Sequence, residues 1–144
     1  MSPYFQLIYC SRRPTSSDEI GAADVRDILA VAREDNARDD ITGALLVDAD
    51  CFAQLLEGPA DKVEALFERI RLDPRHQDVV VLCRQTVVER VFPDWSMGYA
   101  SPVESDEIDR TARVFANAFY APGPAAAAEV RELIVSAVAQ VQLW

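Results

Sequence analysis

The 144-residue sequence predicts an α+β fold: a ferredoxin-like βαββαββ mixed sheet with two helices on one face, plus two C-terminal cap helices on the other. Three observations predict it. Apolar residues alternate with a period of two in short runs bounded by turn residues, which is the pattern of half-buried strands. Between those runs they recur at i, i+3 and i+4, the pattern of a helix with one buried stripe. After residue 100 only helical patterns follow.

The first strand is Phe5–Ser11, with Phe5, Leu7 and Tyr9 on one face and Gln6, Ile8 and Cys10 on the other. Val25, Ile28, Leu29 and Ala32 predict a helix over Ala22–Asn36. Ile41–Val47 and Phe52–Glu57 form a hairpin turned at Asp48-Ala49-Asp50, and Gly58-Pro59 stops its second arm. Val63, Leu66, Phe67 and Ile70 mark a second helix. Val79–Val88 is a long β-branched run, and Trp95–Ala100 reads as a short final strand.

Ser101–Asp106 links this unit, residues 1–100, to a two-helix cap over residues 101–144. Ile108, Thr111, Ala112, Phe115 and Phe119 stripe one cap helix. Val130, Leu133, Ile134, Ala137, Val138 and Val141 stripe the other, after a break at Pro122-Gly123-Pro124. Such stripes must be buried. The sheet face carrying Ile8, Cys10, Leu46, Ala53 and Leu55 is the natural place, and a second protomer could cover the same surface.

Composition narrows the function classes. Hydrophobic residues make up 50% and charged residues 26%, ordinary for one globular domain. A net charge of −10 repels nucleic acid. Cys10, Cys51 and Cys83 have no metal-ligand spacing. The start has no signal-peptide layout, and no run approaches the roughly 18 apolar residues of a membrane span. The expectation is a reduced, cytoplasmic protein without metal. His76 is the single histidine, and no GxGxxG or phosphate loop occurs, so no familiar enzyme is indicated.

Polar residues at inward positions stand out instead. Tyr9 shares a face with Phe5 and Leu7, and Gln54 with Phe52 and Leu56. In a ferredoxin-like sheet the first and third strands are neighbours, so the two can touch beneath the helices. A buried glutamine costs about 1–3 kcal/mol for each unpaired group. On spacing alone, a self-satisfied core pair and a binding site both remain open, and Asn36 reads as the cap ending the first helix.

Five blocks then carry a resemblance: LIYCS (Leu7–Ser11), AREDNARDDITGALLV (Ala32–Val47), FAQLLEGP (Phe52–Pro59), DPRH (Asp73–His76) and FPDWSMGYA (Phe92–Ala100). In this order they resemble the BLUF domains, sensors of blue light using flavin, over residues 4–100. The resemblance implies a blue-light photoreceptor with a flavin held non-covalently between the two helices, FAD usually and FMN as the variant. Tyr9 matches the tyrosine that gives an electron and a proton to the excited flavin. Gln54 matches the glutamine whose hydrogen bonds then rearrange. Asn36 and Arg75 match residues at the pyrimidine edge, and His76 follows in the same motif. Ile28 and Leu29 are expected against the ring. Trp95 and Met97 match the pair that exchange places as the signal leaves. A small, reversible red shift is the expected readout.

Asp35 departs from the asparagine common in the family and is expected to face solvent or Arg33. Arg12 and Arg13 follow the first strand as a solvated turn or as phosphate contacts. With only about forty residues after the sheet, the signal is expected to pass to a separate protein or to a homo-oligomer interface, with no enzymatic activity. Two rivals are an acylphosphatase-like hydrolase and a flavin-free interaction module. Against the first, the loop from Arg12 to Ser16 has no glycine and poorly provides the backbone donors of a phosphate nest.

Overall fold

A computed structural model describes residues 3–14, 18–102 and 104–139. Its elements are β1 (Tyr4–Arg12), α1 (Asp18–Asp39), β2 (Thr42–Val47), β3 (Cys51–Gly58), α2 (Ala60–Leu72), β4 (Gln77–Val87), β5 (Gly98–Ala100), α3 (Ser105–Tyr120) and α4 (Pro124–Ala139). The sheet order is β4-β1-β3-β2-β5, antiparallel throughout except for the parallel β2–β5 pair. This is the ferredoxin-like arrangement with one short strand added.

The period of two divides the core into two clusters. Leu7, Tyr9, Leu45, Phe52 and Leu56 point towards α1 and α2, where Leu29, Val63 and Phe67 meet them. Ile8, Cys10, Leu46, Ala53 and Leu55 point the other way and are covered by Val114, Phe115, Val130, Ile134 and Val138 of α3 and α4. The cap therefore closes the second face from within the same chain. Val141 lies outside the described residues.

Local chemistry sets the element ends. Helix α1 runs three residues beyond Asn36, and the chain leaves it through Asp40, whose φ of 59° is the left-handed conformation that commonly stops a helix. Asn36 is therefore inside the helix and not its cap. Helix α2 begins after Pro59 with Asp61 in its first turn and ends with Arg69 and Arg71, the order its dipole favours. In β4 the pairing slips between Ile8↔Cys83 and Tyr9↔Val81, a bulge that puts both Leu82 and Cys83 on the cap side. Gly43 lets β2 close on β3, because a Cβ there would stand 1.9 Å from the Leu55 carbonyl oxygen.

The final strand is shorter than the expected Trp95–Ala100. Only Gly98–Ala100 pairs with β2. Ahead of that stretch, Trp95 O still accepts from Gly43 N of β2 at 3.1 Å, but Ser96 O accepts from the Asn36 side chain of α1 and leaves the ladder.

Candidate functional site

Strands β1 and β3 place Tyr9 directly opposite Gln54. The Tyr9 hydroxyl donates to Gln54 Oε1 at 2.5 Å, and Gln54 Nε2 donates to Met97 Sδ at 3.2 Å. All three side chains are buried. Desolvation pushes the Tyr9 phenol well above its ordinary pKa, so it stays protonated. One amide thus bridges a phenol and a thioether, accepting at one end and donating at the other.

Above this chain a cleft of about 180 Å³ opens between α1 and α2. Ile28, Ala32, Leu66 and Ile70 form its apolar walls, and Gln54 and His76 reach it from the sheet side. Leu29 does not line it; it is buried in the core beneath α1. Asn36 is almost fully buried and donates through Nδ2 to Ser96 O at 2.9 Å. Its Oδ1 is the one buried side-chain polar atom without a partner among the described residues. Such an atom is costly unless something outside the chain satisfies it.

His76 shares a hydrogen bond with Ser11 Oγ through Nδ1 at 2.8 Å, and its ring packs edge-on to Tyr9 and against Phe52. Burial holds its pKa down to about 4, so the imidazole is neutral. The Arg75 guanidinium is committed to Asp73 at 2.6 Å and to Asp27 at 3.0 Å at the cleft wall. That bond holds the Asp73 carboxyl below its usual range.

One expectation needs correction. Asp35 turns to Arg38 at 3.4 Å and Arg69 at 3.6 Å, not to Arg33. Arg33 instead donates to Met97 O at 3.1 Å. Trp95 and Met97 do not share a side of the sheet: Trp95 stacks on Phe92 against the cap-side core, while Met97 belongs to the cleft side. Arg12 pairs with Asp78 of β4 and lies over Phe119 of α3, and Arg13 donates to Asp48 O at the turn between β2 and β3.

A model of the family of sensors of blue light using FAD (BLUF) matches residues 4–98. The chain belongs to the BLUF family. Photoactivated adenylate cyclase subunit beta of Euglena gracilis is 41% identical over 98 residues, 66% of this chain and 11% of that protein, so the chain spans about a tenth of that relative's length. The solved structure of BlsA in its photo-activated state is 28% identical with a TM-score of 0.78, covering 98% of this chain and 99% of that one. BlrB, a BLUF protein in its dark state, gives 31% identity and a TM-score of 0.72 over 94% of this chain and 98% of its own. This BLUF chain is a flavin-binding, blue-light sensory protein, and none of its described helices is long and apolar enough to cross a membrane.

The residues present fit a flavin. A planar aromatic ring suits the apolar walls of the cleft, and Asn36, which does not itself line the cleft, keeps a buried Oδ1 free to accept from an N–H donor. Ser11, Arg33 and Arg69 were not singled out as site residues from the sequence. Ser11 and Arg33 act through long-range contacts that periodicity does not reveal. Nor was the cap-side pair Gln6 and Glu57, although counting by two along β1 and β3 puts both inside.

Proposed function

We propose that this BLUF protein senses blue light through Tyr9 and Gln54 and holds its flavin, FAD in preference to FMN, in the cleft between α1 and α2. The observation that carries the reading is the buried chain Tyr9–Gln54–Met97, whose Gln54 lines a largely apolar cleft between α1 and α2. Asn36 and Gln54 are assigned to the polar edge of the ring, Ile28 to its face, and Leu29 to support from below. Arg75 and His76 shape the same wall.

When bound and excited by blue light, the flavin supplies an oxidant able to take an electron from a phenol. Tyr9 would be the donor of that electron, its proton able to leave along the hydrogen bond to Gln54 Oε1 and to return by the same bond when the electron comes back. The reverse transfer restores Tyr9, so the lasting change is in Gln54. An amide that rotates or tautomerises exchanges donor for acceptor at a fixed place, with no change of net charge. Rotation also removes the donor from Met97, whose thioether can accept but cannot donate. Met97 is thereby released to move with the segment before β5, which Asn36 and Arg33 hold by its carbonyls.

A single hydrogen bond is worth about 0.5–1.5 kcal/mol net, whereas shifting an output from 1:99 to 99:1 needs about 5.5 kcal/mol. Several contacts must therefore change together, which points to residues 91–100 and the cap. Residues 1–100 are assigned as the sensory unit and 101–144 as the cap that passes the signal on. The output is a protein partner or a change of homo-oligomer in the cytoplasm, without catalysis and without nucleic acid. Ile108, Tyr120 and Val135 stand exposed on α3 and α4 for such a contact.

The visible spectrum of the purified protein, in darkness and just after blue light, tests this. The expected outcome is a flavin band that shifts red and returns, with the shift abolished in Tyr9→Phe while flavin content is kept. A protein that stays colourless after added FAD would overturn it in favour of an interaction module.

A further inference from the structure

A second buried polar chain crosses the opposite face of the sheet. Glu57 is fully buried. Its Oε1 accepts from two consecutive backbone amides, Val91 N at 2.7 Å and Phe92 N at 3.1 Å. Its Oε2 accepts from Gln6 Nε2 at 3.0 Å, as the pairing of Gln6 opposite Glu57 allows. Gln6 Oε1 in turn accepts from Gln85 Nε2 at 2.7 Å and from Arg131 of α4 at 3.3 Å. The path runs from the cap, through β1 and β3, to the start of the segment that ends in Met97.

That segment is held at both ends. At its head Glu57 takes the amides of residues 91 and 92, while Arg90 beside it bonds Thr42 and the Asp40 carbonyl. In the middle Phe92 stacks on Trp95 with ring centroids 5.4 Å apart. At its tail Asn36 and Arg33 of α1 hold the carbonyls of Ser96 and Met97, and Gln54 holds the Met97 sulfur. Glu57 and Gln54 are three residues apart on the same strand and address the two ends of one segment from opposite faces.

The direction of the chain is fixed by chemistry. Arginine has only donors, and both oxygens of Glu57 accept. Gln6 between them can satisfy both in one orientation, because turning its amide would set N–H against guanidinium and oxygen against carboxylate. Buried groups facing like partners cost more than the bonds they lose. Moving α4 and moving the head of the segment are therefore linked through one amide, and such coupling acts equally in both directions.

We infer that Glu57 is a positioning residue for the photoreaction: it fixes the head of the segment that carries Met97, and Gln6 ties that grip to Arg131 of the cap. This rests on the assignment of Gln54 and Met97 to the photoreaction. The test compares flavin-loaded wild type with Glu57→Gln, Arg131→Met and the double variant, reading flavin content, the light-induced shift and the rate of dark recovery. Flavin content is expected to stay at the wild-type level. Recovery is expected to change about two- to twelve-fold in each single variant, in the same sense, the range one hydrogen bond commands. The double variant is expected to change by clearly less than the product of the two, because both act through Gln6. A merely structural role would lower thermal stability and leave recovery alone.

Wild-type recovery in both single variants, or effects that simply multiply, would overturn the inference. Where Glu57→Gln does not accumulate as folded protein, Gln6→Met takes its place, and unchanged recovery in it and in Arg131→Met overturns the inference equally. A wild-type protein that binds flavin but shows no reversible shift would instead strike at the photoreaction itself, so the two failures are distinct.

Discussion

On the α1–α2 face of the sheet, Tyr9 and Gln54 bond each other beneath a cleft and Asn36 Oδ1 has no partner. On the α3–α4 face, the buried Glu57 and Gln6 have every side-chain oxygen and nitrogen bonded within the chain. The same strands supply both faces. The difference teaches how a sheet can be stabilised on one side by its own cap and left incomplete on the other for a ligand. Damage to the cap side should then cost folding, and damage to the cleft side should cost binding or photochemistry.

The sharpest separation is Ile134→Ala. Ile134 is fully buried in the cap-side core, and such truncations cost about 2–5 kcal/mol. Denaturant unfolding should show that loss, while the folded fraction keeps its flavin and its light-induced shift. Loss of the shift in folded, flavin-bearing protein would break the division between the faces.

Acid should act on the cleft face. His76 has its pKa lowered from the ordinary 6.5 to about 4 by burial. Unfolded chains take up that proton first, so stability is fully present above about pH 6.5 and is lost as pH falls through about 4. The difference corresponds to about 3 kcal/mol. Unfolding of the flavin-free protein across this window should show the decline, and His76→Gln should remove most of it. On the cap face Cys10 and Cys51, pushed up to about 12 by burial, stay protonated throughout.

A smaller effect is expected at Asn36. Asn36→Ala should weaken flavin binding about five- to 150-fold, the equivalent of about 1–3 kcal/mol. In flavin-free protein the same change should be milder, because it removes an unsatisfied oxygen together with the bond to Ser96. Titration of apoprotein by flavin fluorescence, set beside unfolding curves, measures both. Equal losses with and without flavin would contradict the assignment of Asn36 to the ligand.

Much of this organisation is legible in the sequence because alternation along β1 and β3 is strict. Counting by two puts Tyr9 on the helix side and sends Ile8, Cys10 and Leu55 to the cap, as found; the register that sets Tyr9 opposite Gln54 comes from the strand pairing. The same count places Gln6 beside Ile8 and Glu57 beside Leu55. The second polar pair is therefore readable from the same alternation, whereas its partners at Val91, Phe92 and Arg131, far away in sequence, are not. Other features were not readable. The bulge at Leu82 breaks the alternation of β4. The carbonyl of Ser96 is taken by the side chain of Asn36 on α1, a partner far away in sequence, ahead of the short β5. Of the two partners of Asp35, Arg38 is a local i, i+3 neighbour, whereas Arg69 lies on a different helix, which no local charge pattern indicates.

Gly43 has a consequence for how this protein can vary. Any side chain there would run into the Leu55 carbonyl oxygen. The same residue's amide bonds Trp95 O, so β2 would have to part from β3 and release the loop ahead of β5. Mutational libraries aimed at the photocycle will thus find positions 36 and 97 open to gradual adjustment of spectrum or rate. Position 43 will return only glycine, not through any role in light sensing but because the fold has no room for an alternative. A selection for slower or faster sensors can retune the bonds of that loop while leaving its anchor on β2 untouched.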